Sequence, residues 1–161
     1  MTTQSETDSI CCPKFDPTPW DDKIVVWENK KFIKDSVCTF FYMPVNFGSV
    51  MKRLNKTLLK ADAVMPDYLC LSDHQSKWRM NLLLAVDKEI PGAVNIQLSG
   101  KYYCKVYEGP FRETDKWCKD FEQTIISRRF KTGKIYMWYT TCPKCAKKYG
   151  KNYVVLLGQI E

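Results

Sequence analysis

Apolar positions recur along the chain with two different periods, and the switch from one to the other marks out the elements. From Asn46, a residue type suited to capping a helix, Phe47, Val50, Met51, Leu54 and Leu58 fall on one face at helical steps, and Pro66 stops the run. The spacing predicts a one-faced helix. A second is predicted after Thr114, taken as its cap, because Trp117, Phe121 and Ile125 repeat at steps of four.

The remaining apolar runs are rich in β-branched and aromatic residues, as strands are. Lys23 to Trp27 and Lys31 to Tyr42 read as a hairpin around the polar Glu28-Asn29-Lys30-Lys31, with Pro44 ending the longer strand. Tyr68 to Leu71 and Arg79 to Val86 read as strands joined by a polar stretch that holds Asp73, His74 and Gln75, and Pro91-Gly92 marks the next turn. Tyr102 to Tyr107 is a strand that Gly109-Pro110 breaks, and Ile135 to Thr140 and Tyr153 to Ile160 close the series.

The order strand, helix, strand, strand therefore occurs twice, and it predicts an internal duplication of about 65–70 residues. The expected fold class is α+β: two such units, over 31–90 and 98–161, each laying one helix on an antiparallel sheet, with a cleft between the halves. At 161 residues the chain fits one domain. Residues 1–10 are polar and expected to be a disordered tail, while Pro13, Pro17 and Pro19 make 11–22 an extended arm laid over the domain at 11–161.

Composition adds a demand for aromatic sites. Aromatic residues make up 14% of the chain, with five Trp, nine Tyr and eight Phe, so some are expected to line a pocket as well as a core. The net charge of +7 points toward anionic partners, yet the basic residues are spread apart from Arg128, Arg129, Lys131, Lys134 and the trio Lys144, Lys147, Lys148. A solvated basic face accounts for that distribution better than a nucleic-acid site does. The chain has no apolar run of membrane-spanning length and its start lacks a leader's basic and apolar regions, so a cytoplasmic protein with no membrane partner is expected.

In a reducing compartment eight cysteines read as thiols, metal ligands or redox groups. Cys142-Pro-Lys-Cys145 has the spacing with which one turn presents two thiolates to one metal, and Cys11-Cys12 is the other close pair. A structural zinc on Cys11, Cys12, Cys142 and Cys145 is one reading, with a three-cysteine variant using His74 or water; free thiols and a redox pair are the others. No cofactor is otherwise required. Cys38, Cys70, Cys104 and Cys118 lie in predicted strands or on a helix face, where a thiol acts as a small buried hydrophobe. The sequence has no nucleophile elbow, Walker loop, Rossmann glycine pattern or HExxH.

Leu98-Ser-Gly-Lys-Tyr-Tyr-Cys-Lys-Val-Tyr-Glu-Gly-Pro-Phe111, followed by a helix that carries Trp117, resembles the GyrI-like family of effector-binding and drug-binding domains. The likeness runs over most of 41–160, and Ile135 to Pro143 with Tyr153 to Ile160 is similar to the family's later pattern. It implies a small-molecule-binding α+β domain, and the arm Cys11-Cys-Pro-Lys-Phe-Asp16 resembles a branch described as hydrolase. The carboxylate that many members carry on the last strand is absent from Val154-Val-Leu-Leu-Gly-Gln159, which counts against a cationic drug.

Tyr102, Tyr107, Trp117 and Trp138 are the candidate ligand walls, with core packing as the competing role. Glu108, beside the family-like Gly-Pro turn, is a general acid or base if the cleft surrounds it with apolar groups, and an exposed turn carboxylate otherwise. Two functions follow: a small-molecule binder that can also hydrolyse its ligand, and a basic cysteine-cluster module for nucleic acid or a protein partner, with the nucleic-acid role the less expected.

Overall fold

A computed structural model describes residues 14–41, 43–140, 147 and 149–161. Its first strand, β1 (Lys23–Phe40), runs straight through the segment read above as a hairpin. Both flanks of the polar Glu28-Asn29-Lys30-Lys31 face the same partner, β5 (Val94–Glu108), from Lys23 opposite Cys104 to Lys34 opposite Val94. A reversal there is impossible. The extra residues are taken up as an irregularity between Trp27 and Lys30, with Asn29 at φ 51°, a left-handed conformation that Asn tolerates.

The other elements are β2 (Met43–Pro44), α1 (Phe47–Lys60), β3 (Cys70–Ser76), β4 (Arg79–Ala85), α2 (Thr114–Ser127), β6 (Thr132–Tyr139) and β7 (Tyr153–Ile160). Strands pair in the order β1-β4-β3-β6-β7-β5, and β5 returns to β1, so an antiparallel sheet of six strands closes on itself. Closure removes exposed strand edges.

Because side chains alternate across a strand, closure gives every strand one inward and one outward set. Phe32, Leu71, Leu83, Tyr102, Cys104, Tyr136, Trp138, Val155 and Leu157 form the inner cluster. Outside, Ile33, Val37, Met80, Leu82 and Leu84 receive Val50, Leu54 and Leu58 of α1. Tyr103, Met137, Val154, Leu156 and Ile160 receive Trp117, Phe121 and Ile125 of α2.

Several local expectations are refined. Asn46 stands at the N-cap position of α1 as expected, but its side chain makes no capping bond; its carboxamide oxygen instead accepts the Cys38 N–H at 2.8 Å. Thr114 is the first residue of α2 rather than its cap, and its hydroxyl donates to the Phe111 carbonyl at 2.6 Å. Asp73, His74 and Gln75 lie inside β3, the turn having moved to Lys77 and Trp78. Cys38 is exposed, not buried, whereas burial pushes the Cys104 thiol up to about 12. Among the described residues, no helix is long and apolar enough to cross a membrane.

Candidate functional site

The arm over 14–22 is built by its prolines and acids. The Pro17 carbonyl accepts the N–H groups of Trp20 and Asp21, both at 2.9 Å, which folds the segment into a tight turn. Asp16 accepts the Thr18 N–H at 3.0 Å, a bond that holds its carboxyl below the ordinary range. Asp21 accepts the Val106 N–H at 3.1 Å, and Asp22 accepts the Tyr103 hydroxyl at 2.7 Å while pairing with Arg128 at 2.7 Å. Hydrogen bonds from Tyr103 and then Arg128 keep the Asp22 carboxyl low.

Pinned this way, the arm sets two aromatic rings against one. Phe15 and Trp20 meet the Trp138 ring edge-on, with centroids 5.3 and 4.9 Å away and both planes at 81°. Phe15 also lies 5.6 Å from the Tyr153 ring. Between arm and barrel remains a half-open cavity of about 170 Å³, walled by Lys14, Phe15, Asp16, Pro19 and Trp20 on one side and by Asp67, Tyr68, Trp138 and Thr140 on the other.

Trp138 is buried, and its indole N–H has no hydrogen-bond partner. An unmet donor so deeply buried is costly. At the rim, Asp67 and Tyr68 have φ of 56° and 51°, in the left-handed region that residues with a Cβ rarely occupy. The site therefore combines aromatic walls, two rim carboxylates and a strained turn.

A second polar group lies at the β3–β6 seam. The buried Asp73 carboxylate receives Lys134 at 2.6 Å and the Gln75 amide at 2.7 Å. Burial first, and the nearby Asp73 charge second, push the Tyr136 phenol up. With its charge so matched, Asp73 reads as a structural anchor.

The candidate residues divide between the two faces of the sheet. Tyr102 and Trp138 belong to the inner cluster, and Trp138 lines the cavity. Tyr107 and Trp117 lie outside, stacked on each other at 5.8 Å and 21°, with the Tyr107 hydroxyl donating to Asp120 at 2.7 Å. Tyr102 and Trp138 point into the barrel while Trp117, on α2, packs on its outer face, so the three stand on opposite sides of the sheet. Glu108 is exposed at the end of β5 and is not part of the cavity wall.

Gly109 beside Glu108 has φ 147°, and a Cβ there would stand 3.3 Å from the Trp117 ring, so the Gly-Pro turn serves packing of α2. Cys11, Cys12, Cys142 and Cys145 lie outside the described residues. Among the described residues, no group of three or more His, Cys, Asp and Glu gathers where it could hold a metal.

Phe15, Trp20, Asp67 and Tyr68 were missed as site residues. The signal for Phe15 and Trp20 was present: two large aromatics in a proline-rich segment with no core periodicity of its own need an aromatic partner elsewhere.

A family model described as bacterial hydrolase matches residues 2–160. Among solved structures, the crystal structure of the EcmrR C-terminal domain aligns with a TM-score of 0.68 at 8% identity, covering 88% of this chain and 98% of that one. The structure of SAV2435 bound to tetraphenylphosphonium aligns at 0.55 and 13% identity, covering 86% and 93%. EcmrR in its DNA complex aligns at 0.63 and 9%, where 86% of this chain spans 56% of that one. At such identities the likeness establishes the fold. No curated protein matches the chain.

Proposed function

This chain belongs to the bacterial hydrolase family, and we propose that it binds a small planar, apolar compound in the cavity between the arm and the barrel. The fold is that of GyrI-like domains. The observation that carries the reading is the cluster of Phe15, Trp20 and Trp138 rings that walls a cavity where the arm meets the barrel. The aromatic walls would pack against the face of a flat ligand. SAV2435, which shares the fold, was solved with tetraphenylphosphonium bound, a cation that carries four phenyl rings.

Ligand cavities usually measure about 300–1,000 Å³, so a cavity of about 170 Å³ admits only a small compound while the arm is docked. A larger ligand would require the arm to lift. We read the two halves as a duplicated unit because β1-β4-β3 and β5-β7-β6 pair in the same order, and the seam at β3–β6 leads to the cavity through Leu71 and Trp138.

Hydrolysis is a second reading, favoured by the description of the family. Asp16 and Asp67 are the carboxylates at the cavity, and either could orient water against a bound ester or amide. The test is a thermal-shift screen with planar apolar compounds, since a ligand of the folded state raises its melting temperature. Compounds that stabilise the wild type should lose that effect with Trp138→Leu. Stabilisation that survives Trp138→Leu places the ligand elsewhere, and turnover that survives Asp16→Asn and Asp67→Asn together removes the hydrolytic assignment.

A further inference from the structure

At the opposite end of β3 from the cavity, three large aromatic side chains stand out from the barrel. Phe40, Phe41 and Trp78 are 59%, 54% and 53% exposed, at the end of β1 and in the turn before β4. They pack on one another, with centroid distances of 4.8, 5.6 and 5.1 Å and interplanar angles of 88°, 61° and 58°. Water is a poor solvent for such a cluster, and solitary exposed apolar residues are common where contiguous ones are not.

The cluster is rigidly mounted. The Thr39 N–H donates to the Trp78 carbonyl at 2.9 Å, and the Thr39 hydroxyl donates to the Lys77 carbonyl at 2.7 Å, so the turn is tied to β1. Phe41 is held at φ 48°, a conformation that a bulky residue rarely adopts.

The surroundings are cationic. The Lys77 ammonium lies 5.6 Å from the Phe41 ring centroid, and Arg79 beside Trp78 is exposed. Ser76 to Met80, the turn that carries Trp78, holds Lys77 and Arg79 and no carboxylate. On a chain of net charge +7, an apolar knob flanked by Lys77 and Arg79 would repel a second copy of itself. Single-stranded nucleic acid stacks on open ring faces, and these rings turn their faces and edges to one another.

We propose that Phe40, Phe41 and Trp78 form a membrane-surface anchor: the rings enter the headgroup region of an anionic bilayer while Lys77 and Arg79 meet its phosphates. Aromatic side chains with a neighbouring cation favour that interface, which needs no membrane-spanning helix. The membrane partner absent from the expectations of the sequence is thus a peripheral one.

The experiment is co-sedimentation of the full chain with vesicles of phosphatidylcholine alone and of phosphatidylcholine mixed with phosphatidylglycerol. The wild type is expected to partition onto the anionic vesicles, with binding weakened at least about tenfold by Phe41→Ser combined with Trp78→Ser. Lys77→Ala or Arg79→Ala should each weaken it roughly fivefold. Should the serine variant lose its fold, Trp78→Phe keeps the ring and serves instead: brominated lipids should quench the wild type and no longer quench this variant. No binding to anionic vesicles, binding that the variants leave unchanged, or quenching that survives Trp78→Phe would overturn the proposal. Loss in the same variants of self-association or of single-stranded DNA binding, without vesicle binding in the wild type, would reassign the surface to those partners.

Discussion

Trp20 and Trp138 meet edge to face at 4.9 Å, which makes a residue of the arm and a residue of the barrel interior two walls of one cavity. Trp20→Ala removes one of them. The half-buried ring should cost about 1–3 kcal/mol, below the range for a fully buried Trp. Thermal denaturation should show a fall of roughly 2–4 °C per kcal/mol, and limited proteolysis should cut the arm sooner. The same variant should accept planar compounds too large for the wild type, because the arm no longer closes the cavity.

The packing of α2 against β7 depends on the missing side chain of Gly158. A Cβ at this position would lie 3.0 Å from the Thr132 methyl and 3.1 Å from the Phe121 ring. Phe121 is fully buried and cannot retreat. Gly158→Ala should therefore destabilise by about 1–3 kcal/mol in urea titration. Adding Thr132→Ser, which removes the contacting methyl, should restore part of the loss, and a cycle of the four chains measures the coupling.

Most of the fold was legible because periodicity reports burial. Val50, Leu54 and Leu58 at one helical spacing, and Trp117, Phe121 and Ile125 at another, are the buried faces of α1 and α2. Tyr153–Ile160 matched its strand end to end. The hairpin failed at Glu28 to Lys31 because polar residues can mark a bulge as well as a turn, and only the long-range pairing of β1 with β5 decides between them.

The site was less legible. Trp138 emerged from the sequence, yet its partners Phe15 and Trp20 lie more than a hundred residues away in sequence and follow no period. Tyr107 and Trp117 were grouped with Tyr102 although strand parity sends Tyr107 to the other face of the sheet. The family-like Gly109-Pro110 turn drew attention to Glu108, whereas the turn serves the approach of Trp117 to the backbone.

Asp35 offers a pH test of the contact between β1 and α1. Arg53 grips its carboxylate with two hydrogen bonds, at 2.8 and 2.9 Å, and with the Ser36 N–H holds it below the ordinary aspartate value. A depressed carboxyl contributes stability above its unfolded value of about 3.9 and loses it as pH falls through the folded value. Solvent reaches both partners, so the contribution is under about 1 kcal/mol. Asp35→Asn should melt slightly below the wild type at neutral pH, and the difference should shrink as the pH is lowered below about 4.

The binding account is tested most directly by the five tryptophan indole N–H resonances in a nitrogen-15 correlation spectrum, assigned by single Trp→Phe changes and followed during titration with a planar compound from the thermal-shift screen. The account predicts that the resonances of Trp138 and Trp20 move together and saturate with the ligand, while that of Trp117, on the outer face, stays in place. Movement of Trp117 with Trp138 and Trp20 unmoved would contradict it and shift the site to the outer face beside α2.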